Sequence, residues 1–155
     1  MPDHLLLGGY IGDALASWRW RVDCESKVLA LSLSGDIFFA DQLGVVHWLD
    51  TGAGTIEYVA KDQGEFHRAL ANSGRWAELL LQPVVESFLQ CFGPIPPGKC
   101  LGYKVLPVFG GGYSGENRVL YTASEHFAVT GHIHEQIKNL PDGSPVKLSV
   151  VGPGA

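Results

Sequence analysis

Four short apolar runs separated by glycine and aspartate turns constrain the fold of this chain more than any other feature. The runs cover residues 28–33, 37–40, 45–49 and 55–59, and the breaks between them cover residues 34–36, 41–44 and 50–54. Short strands at this even spacing are typical of an antiparallel meander, because tight turns join neighbouring antiparallel strands. The sequence therefore predicts a four-stranded antiparallel sheet in the first half of the chain.

A helical block follows the fourth run. Asp62 and Glu65 have the spacing of a capping box, with Asp62 as the N-cap, and residues 72–74 end the helix that it begins. A second amphipathic stretch contains Pro83, which predicts a kink or a new helix start. The predicted fold class is α+β, an antiparallel sheet packed against a few helices, in a single domain over residues 1–155.

The remaining segments are predicted from shorter signals. Trp18 and Trp20 alternate with arginines, a period of two that predicts a strand edge whose tryptophans face the core, with an aromatic and basic binding ridge as the alternative. Residues 93–98 contain three prolines and predict a stiff loop. Strands are predicted over residues 101–106, 119–121 and 127–129, a final helix over residues 133–140, and a frayed tail over residues 149–155.

Composition and charge bear on the function class. The net charge of −5 argues against nucleic-acid binding, which needs clustered lysine and arginine, and permits docking to a basic protein. The N-terminus lacks the basic region and long apolar core of a signal peptide, and no stretch approaches the ~20 apolar residues of a membrane span. We therefore expect a soluble cytoplasmic protein. Its three cysteines, with no paired motif, predict buried free thiols.

One group of residues has the side-chain types of a metal site. His132 and His134 flank Ile133, which places both imidazoles on one face of a strand, and His126 or Glu135 is a candidate third ligand. No HExxH or cysteine-pair pattern accompanies them, so ordinary hydrogen-bonded histidines are favoured over a metal-dependent enzyme. The sequence also lacks a GxSxG nucleophile motif. We predict no catalytic residue, no cofactor and no metal.

Over residues 35–140 the order of short motifs resembles a known family. The motifs are Gly102-Tyr103-Lys104, Gly110-Gly111, Glu116-Asn117 and His132-Ile133-His134-Glu135-Gln136-Ile137. Their order and spacing resemble the C-terminal domain of immunity proteins of the type VI secretion system (T6SS), which protect bacteria against a secreted DNase effector. The resemblance implies a cytoplasmic antitoxin that binds a toxin domain and blocks its active site without turnover. A GAD-like region usually precedes this domain, so residues 1–34 are expected to be a shortened N-terminal extension.

The two leading hypotheses place different sites near the loops. An immunity protein would bind its toxin through acidic and aromatic side chains, because a buried aromatic anchor with a charged rim is the usual layout of a tight interface. The predicted partner-binding residues are Asp36, Asp41, Asp50, Tyr113, Glu116 and Asn117. The alternative is a small-ligand sensor with a pocket near Gly110–Gly112, where glycines permit close approach. A deep pocket would favour the sensor, and a flat acidic face would favour the immunity protein.

Overall fold

The four apolar runs form one antiparallel sheet. In the computed structural model, which describes residues 3–8 and 12–147, the strands are β1 (Lys27–Leu31), β2 (Ile37–Ala40), β3 (Val46–Asp50) and β4 (Thr55–Ala60). Strands adjacent in sequence are adjacent in the sheet, in the order β1-β2-β3-β4. The predicted meander is therefore confirmed. The tail predicted over residues 149–155 lies outside the described residues.

The strand register decides which turns lie together. Ile37, the first residue of β2, pairs with both Leu31 at the end of β1 and Leu49 near the end of β3. The β1–β2 and β3–β4 turns therefore lie at the same end of the sheet. The β2–β3 turn, which contains Asp41, lies at the opposite end.

Three helices follow the sheet, α1 (Gln63–Ala71), α2 (Ser73–Leu79) and α3 (Gln82–Phe92). The Asp62 carboxylate accepts a hydrogen bond from the backbone N–H of Glu65 at 2.8 Å, which confirms the predicted cap. Asn72 ends α1 and caps α2, because its side chain accepts a bond from the backbone of Arg75. Pro83 lies in the first turn of α3, so it begins a new helix as predicted.

A hairpin and a long helix complete the fold. Strands β5 (Lys99–Tyr103) and β6 (Arg118–Thr122) pair antiparallel, and helix α4 (Ala123–Ile137) begins directly after β6. Strand β5 starts and ends earlier than the predicted 101–106. No helix in residues 3–8 and 12–147 is long and apolar enough to cross a membrane. The predicted α+β class is confirmed.

The strand predicted over residues 127–129 is wrong, because these residues lie inside α4. Phe127 is buried, whereas Ala128 and Val129 are both exposed, which is the pattern of one helical turn rather than of an alternating strand. The inner face of α4 also carries the polar residues His126 and His134. These polar side chains interrupt the apolar stripe and hide the helical period from the sequence.

The strand edge predicted at Trp18 and Trp20 is also wrong. A short 3₁₀ helix covers Ala16–Trp18, and a turn follows it. Trp18 is fully buried, and its indole N–H donates to the backbone oxygen of Phe127 at 3.1 Å. Trp20 donates in the same way to Gly131. The orientation predicted for Trp18 is correct, and these two bonds tie the N-terminal segment to α4.

Both faces of the meander are covered, because its side chains alternate between them. Phe38 points to one side, where its ring packs 5.5 Å from the ring of Phe66 in α1. Ile37 and Phe39 point to the other side and pack in a cluster that includes Phe127 of α4. The sheet thus lies between α1–α3 on one face and α4 on the other. The site described below lies at the end of the sheet that carries the β1–β2 and β3–β4 turns.

The three cysteines are free thiols. Cys100 is buried, and burial raises the pKa of its thiol to about 12. Cys24 and Cys91 are exposed, so the prediction of buried thiols is correct for Cys100 alone.

Candidate partner-binding surface and its buried support

A cluster of buried polar side chains joins the meander to α4. The Nε2 atom of His126 lies 2.9 Å from the carbonyl oxygen of Gly35 and 3.0 Å from the hydroxyl of Thr51. The Nε2 atom of His134 lies 2.9 Å from the carbonyl oxygen of Thr51. Because a carbonyl oxygen can only accept, both Nε2 atoms carry the proton and donate it. Two turns of the meander are thereby bonded to α4.

Burial keeps both histidines neutral. It lowers the pKa of His126 to about 4, and it also lowers the pKa of His134. Gly35 is required beside His126, because a β-carbon there would lie 2.5 Å from the carbonyl oxygen of Leu101 and 2.6 Å from Nε2 of His126. The φ angle of Gly35, +93°, also disfavours any other residue.

Asp36 belongs to this buried cluster and does not lie on the surface, where the partner-binding hypothesis places it. Its side chain is 1% exposed, and its two oxygens accept bonds from the Trp48 indole at 3.0 Å and the Thr51 backbone at 3.2 Å. Burial raises the pKa of the Asp36 carboxyl to about 7, and the nearby charge of Asp50 adds to the effect. Asp36 supports the turns and is not available to a partner.

Arg118 fastens the β5–β6 loop, residues 104–117, to the meander. The side chain is buried; Nη1 donates to the carbonyl oxygen of Ser34 at 2.9 Å and Nε donates to that of Tyr113 at 3.1 Å. Its guanidinium lies 3.9 Å from the centre of the Tyr103 ring, a cation–π contact. One buried cation therefore fixes both ends of the loop against the sheet.

Asn117 holds the β5–β6 loop together from within. Its side-chain oxygen accepts from the backbone N–H of Val105 at 3.0 Å. Its amide nitrogen donates to the carbonyl oxygens of Val105 at 2.7 Å and Gly112 at 2.8 Å. These bonds use the hydrogen-bonding groups of the side chain inside the loop. Asn117 therefore shapes the predicted binding loop from within.

Two of the predicted partner-binding residues, Asp50 and Tyr113, come together at this end of the sheet, and a third, Glu116, lies on the same loop as Tyr113. The hydroxyl of Tyr113, whose side chain is 39% exposed, donates to the carboxylate of Asp50 at 2.7 Å. Asp50 is positioned by the backbone N–H groups of Gly52 and Ala53 in the β3–β4 turn. Glu116 lies on the same loop as Tyr113 and is exposed. We call Asp50, Tyr113 and Glu116 the acidic loop face.

Asp41 is separate from the acidic loop face. It lies in the β2–β3 turn, at the opposite end of the sheet from Asp50. Its carboxylate accepts from His47 at 2.9 Å and from the backbone N–H groups of Leu43 and Val45. The bond from His47 contributes most to lowering the pKa of Asp41. The structure therefore places Asp41 in a capped turn, away from the other predicted residues.

A cavity of about 720 Å³ lies between the β5–β6 loop and α4. Its mouth is unusually apolar for a surface, since Val105, Val108 and Val129 are 49%, 40% and 54% exposed. The one feature of the sequence that indicates this cavity is the run of apolar residues next to the three glycines. Their exposure could not be predicted, because it depends on where α4 packs.

The histidine group proposed as a metal site does not assemble. His126 and His134 point inward from α4 to backbone carbonyls, whereas His132 is exposed and bonds Gln136. Across residues 3–8 and 12–147, no three histidine, cysteine, aspartate or glutamate side chains are grouped closely enough to hold a metal ion. His132 and His134 would share a face only in a strand, and both lie in helix α4.

The Gly111→Ala variant is expected to lose about 1–3 kcal/mol of unfolding free energy, because a β-carbon there would overlap the carbonyl oxygen of Val105 inside the loop. Gly112→Ala is the matched control, because its β-carbon would meet nothing within 4 Å. We expect the control to stay within about 0.5 kcal/mol of the wild type. Urea unfolding of the three proteins measures the difference; equal losses in both variants would contradict the packed loop.

Comparison with known proteins matches part of this chain to one family. Residues 60–134 match the model of the family described as T6SS immunity protein Tdi1, C-terminal. No curated protein and no solved structure shows a significant match to the chain. The matched stretch runs from the last residue of β4 into α4 and includes the whole β5–β6 loop. The family resemblance of the sequence is therefore confirmed over residues 60–134, the stretch that matches the model of the T6SS immunity protein Tdi1, C-terminal family.

Proposed function

We propose that this chain is an immunity protein that neutralises a T6SS toxin by binding it directly. The observation that carries the proposal is the family match over residues 60–134. An immunity protein acts by occupying the surface that its toxin needs, so it requires a preformed binding face and no turnover. The β5–β6 loop meets this requirement, because Arg118 and Asn117 hold it in one shape. Preformed loops lose little entropy on binding.

We place the toxin on the acidic loop face. Tyr113 is an aromatic side chain at the surface whose hydroxyl is held by Asp50, and rigid aromatic residues of this kind dominate binding energy in interfaces. The carboxylate of Asp50 accepts the bond from its hydroxyl, and the exposed carboxylate of Glu116 lies three residues further along the same loop. Acidic groups at the rim attract a basic partner and increase the association rate.

The proposed target is a nuclease, and the proposed place of action is the cytoplasm. A nuclease must carry basic residues to bind phosphate, and such a face complements a protein with a net charge of −5. Two histidines of α4 hold that helix to the meander. His126 and His134 each donate to a backbone carbonyl and are neutral through burial.

Co-expression tests the proposed function. Cells that produce the toxin encoded beside this gene should stop growing, and production of this chain in the same cells should restore growth. Protection by the chain with no detectable complex between the two proteins would contradict neutralisation by binding. No protection at all, with both proteins present and folded, would contradict the immunity function itself.

Reversing one charge tests the proposed face. Glu116→Lys is expected to weaken toxin binding by roughly threefold to tenfold, mainly through a slower association rate at low salt. Glu25→Lys is the matched control, since Glu25 is also exposed but lies next to β1 at the end of the sheet away from the β5–β6 loop. Surface plasmon resonance at two salt concentrations measures both. If the two variants bind alike, the toxin binds elsewhere.

A further inference from the structure

The backbone of β6 points outward at Leu120. Strand β6 pairs with β5 on one side, and Leu120 lies opposite Leu101 in that pairing. Two opposite residues of an antiparallel pair either bond to each other through both backbone groups or direct both groups away from each other. The backbone N–H of Leu101 donates to the carbonyl oxygen of Leu33 at 2.8 Å, so it points away from β6. The backbone N–H and C=O of Leu120 therefore point away from β5.

This outer edge of β6 is open. No residue in 3–8 or 12–147 forms a hydrogen bond with the backbone N–H or C=O of Leu120. Leu120 and Tyr121 are 38% and 41% exposed, so another chain can reach the edge. The described part of the protein thus carries a strand edge whose backbone groups are accessible and unpaired.

The two edges of the meander are protected, unlike the edge of β6. The N-terminal segment covers the edge at β1, because Leu7 donates to the carbonyl oxygen of Leu31 at 2.8 Å. Strand β4 has an exposed charge at Glu57 and a bulge at Val59, two devices that keep a strand edge from pairing with other chains. Residues 119–122 contain no charged residue and no proline, and their register with β5 has no bulge.

The chemistry of this edge specifies the kind of partner. Unpaired N–H and C=O groups along a strand are complementary to the backbone of another extended chain, which adds to the sheet as a further strand. Side chains of opposite residues then lie about 4.5–5.5 Å apart at their β-carbons. Leu120 on one face and Val119 and Tyr121 on the other therefore favour apolar or β-branched residues in the added strand.

The edge of β6 continues into the acidic loop face. Glu116 is exposed and lies two residues before Arg118, the first residue of β6. One end of an added strand would therefore come close to Glu116, where a basic residue is favoured. A second copy of this chain is a poorer occupant, because it carries the same net charge of −5. The family match over residues 60–134 includes the whole of β6.

We propose that β6 accepts an extended segment of the toxin as an additional strand, bonded to the backbone of Leu120. The segment has apolar side chains opposite Leu120 and Tyr121 and a basic residue near Glu116. This inference rests on the proposed function, because it states how the toxin is held. The acidic loop face and the edge of β6 then form one continuous binding surface.

Hydrogen exchange at single amides, measured by NMR on the full chain, tests the pairing directly. In the free chain the amide of Leu120 should exchange at least about tenfold faster than those of Val119 and Tyr121, which face β5. Saturation with the toxin encoded beside this gene should slow the exchange of Leu120 at least about tenfold, because its N–H becomes a donor in the new pair.

Leu120→Pro removes the outward donor without breaking a hydrogen bond inside the chain. Proline is tolerated in edge strands where the N–H faces solvent. We expect this variant to bind the toxin at least about tenfold more weakly, because a carbonyl group of the toxin is left unpaired. Leu120→Thr is the matched control, since it keeps the N–H and a strand-forming side chain, and it should bind within about threefold of the wild type. Circular dichroism shows whether each variant is folded.

The outcomes separate this inference from the proposed function. Slower exchange of Leu120 in the complex supports the added strand, as does weak binding by a folded Leu120→Pro variant alone. Unchanged exchange of Leu120 in a wild type that binds the toxin overturns the added strand and leaves the immunity function standing. Slow exchange of Leu120 in the free chain also overturns it, in favour of a second copy if the protection increases with chain concentration. No toxin binding by the folded wild type overturns both.

Discussion

As the pH rises from about 4 to about 7, the unfolding free energy of the wild type is expected to fall by roughly 3–4 kcal/mol relative to that of the Asp36→Asn variant. The reason is the buried carboxyl of Asp36, whose pKa is raised from 3.8 to about 7, first by burial and then by Asp50. In this pH window the folded state keeps a proton that the unfolded state has lost. Stability therefore falls with rising pH until about 7 and then levels off.

The difference between the two proteins isolates Asp36 from the histidines. The pKa of His126 is lowered from 6.5 to about 4, so this residue makes stability rise with pH in part of the same window. Both proteins contain His126, and its contribution cancels in the comparison. Urea unfolding at half-unit pH steps gives the two curves.

Asp41→Asn is the control for the sign of the effect. The pKa of Asp41 is lowered from 3.8, mainly by the bond from His47, so Asp41 contributes stability that is lost as the pH falls below 3.8. Asp41→Asn should therefore run parallel to the wild type between pH 4 and 7. If the Asp36→Asn curve is also parallel to that of the wild type in this pH range, the pKa of the Asp36 carboxyl is not raised by burial.

Gly35→Ala is expected to cost about 2–5 kcal/mol of unfolding free energy. About 1–2 kcal/mol comes from the left-handed backbone, since the φ angle of Gly35 is +93°. About 1–3 kcal/mol more comes from crowding, because the new methyl group meets the Leu101 carbonyl and the ring of His126. The clash falls where the meander, the hairpin and α4 meet, so these parts cannot relax independently.

Gly44→Ala separates these two causes. Gly44 also has a positive φ angle, +86°, but a β-carbon there would meet nothing within 4 Å. It should therefore show only the backbone cost of about 1–2 kcal/mol. Thermal and urea unfolding compare the two variants. Equal destabilisation would mean that the His126 contact does not hold α4 against the sheet.

The meander and the first helices were predictable because their signals are local. The turns between the strands lie within a few residues of the strands they join, and Asp62 caps a helix that begins at the next residue. Helix α4 was not predictable in the same way. His126 and His134 on its inner face bond to Gly35 and Thr51, which are 91 and 83 residues away in the sequence. No local pattern contains those partners.

Contacts between residues far apart in the sequence also decide which of the predicted binding residues lie at the surface and which support the fold. Asp50 and Tyr113 are predicted from their places in a turn and a loop, and the structure joins them by a hydrogen bond. Asp36 was selected on the same grounds, yet it is buried, because α4 and β5 cover the β1–β2 turn. Asn117 was selected as a polar residue, and its side chain is used inside the loop. Residue type alone does not distinguish a surface group from a structural one.

Titration of toxin activity with this chain tests the central claim most directly. The purified toxin is held at a concentration well above the dissociation constant and the chain is added in steps. The activity of the toxin, which is DNA cleavage for the nuclease proposed above, is measured at each step. A linear loss of toxin activity that ends at a fixed small-integer ratio of chain to toxin is the result predicted for neutralisation by direct binding. Full toxin activity in the presence of excess folded chain would contradict it.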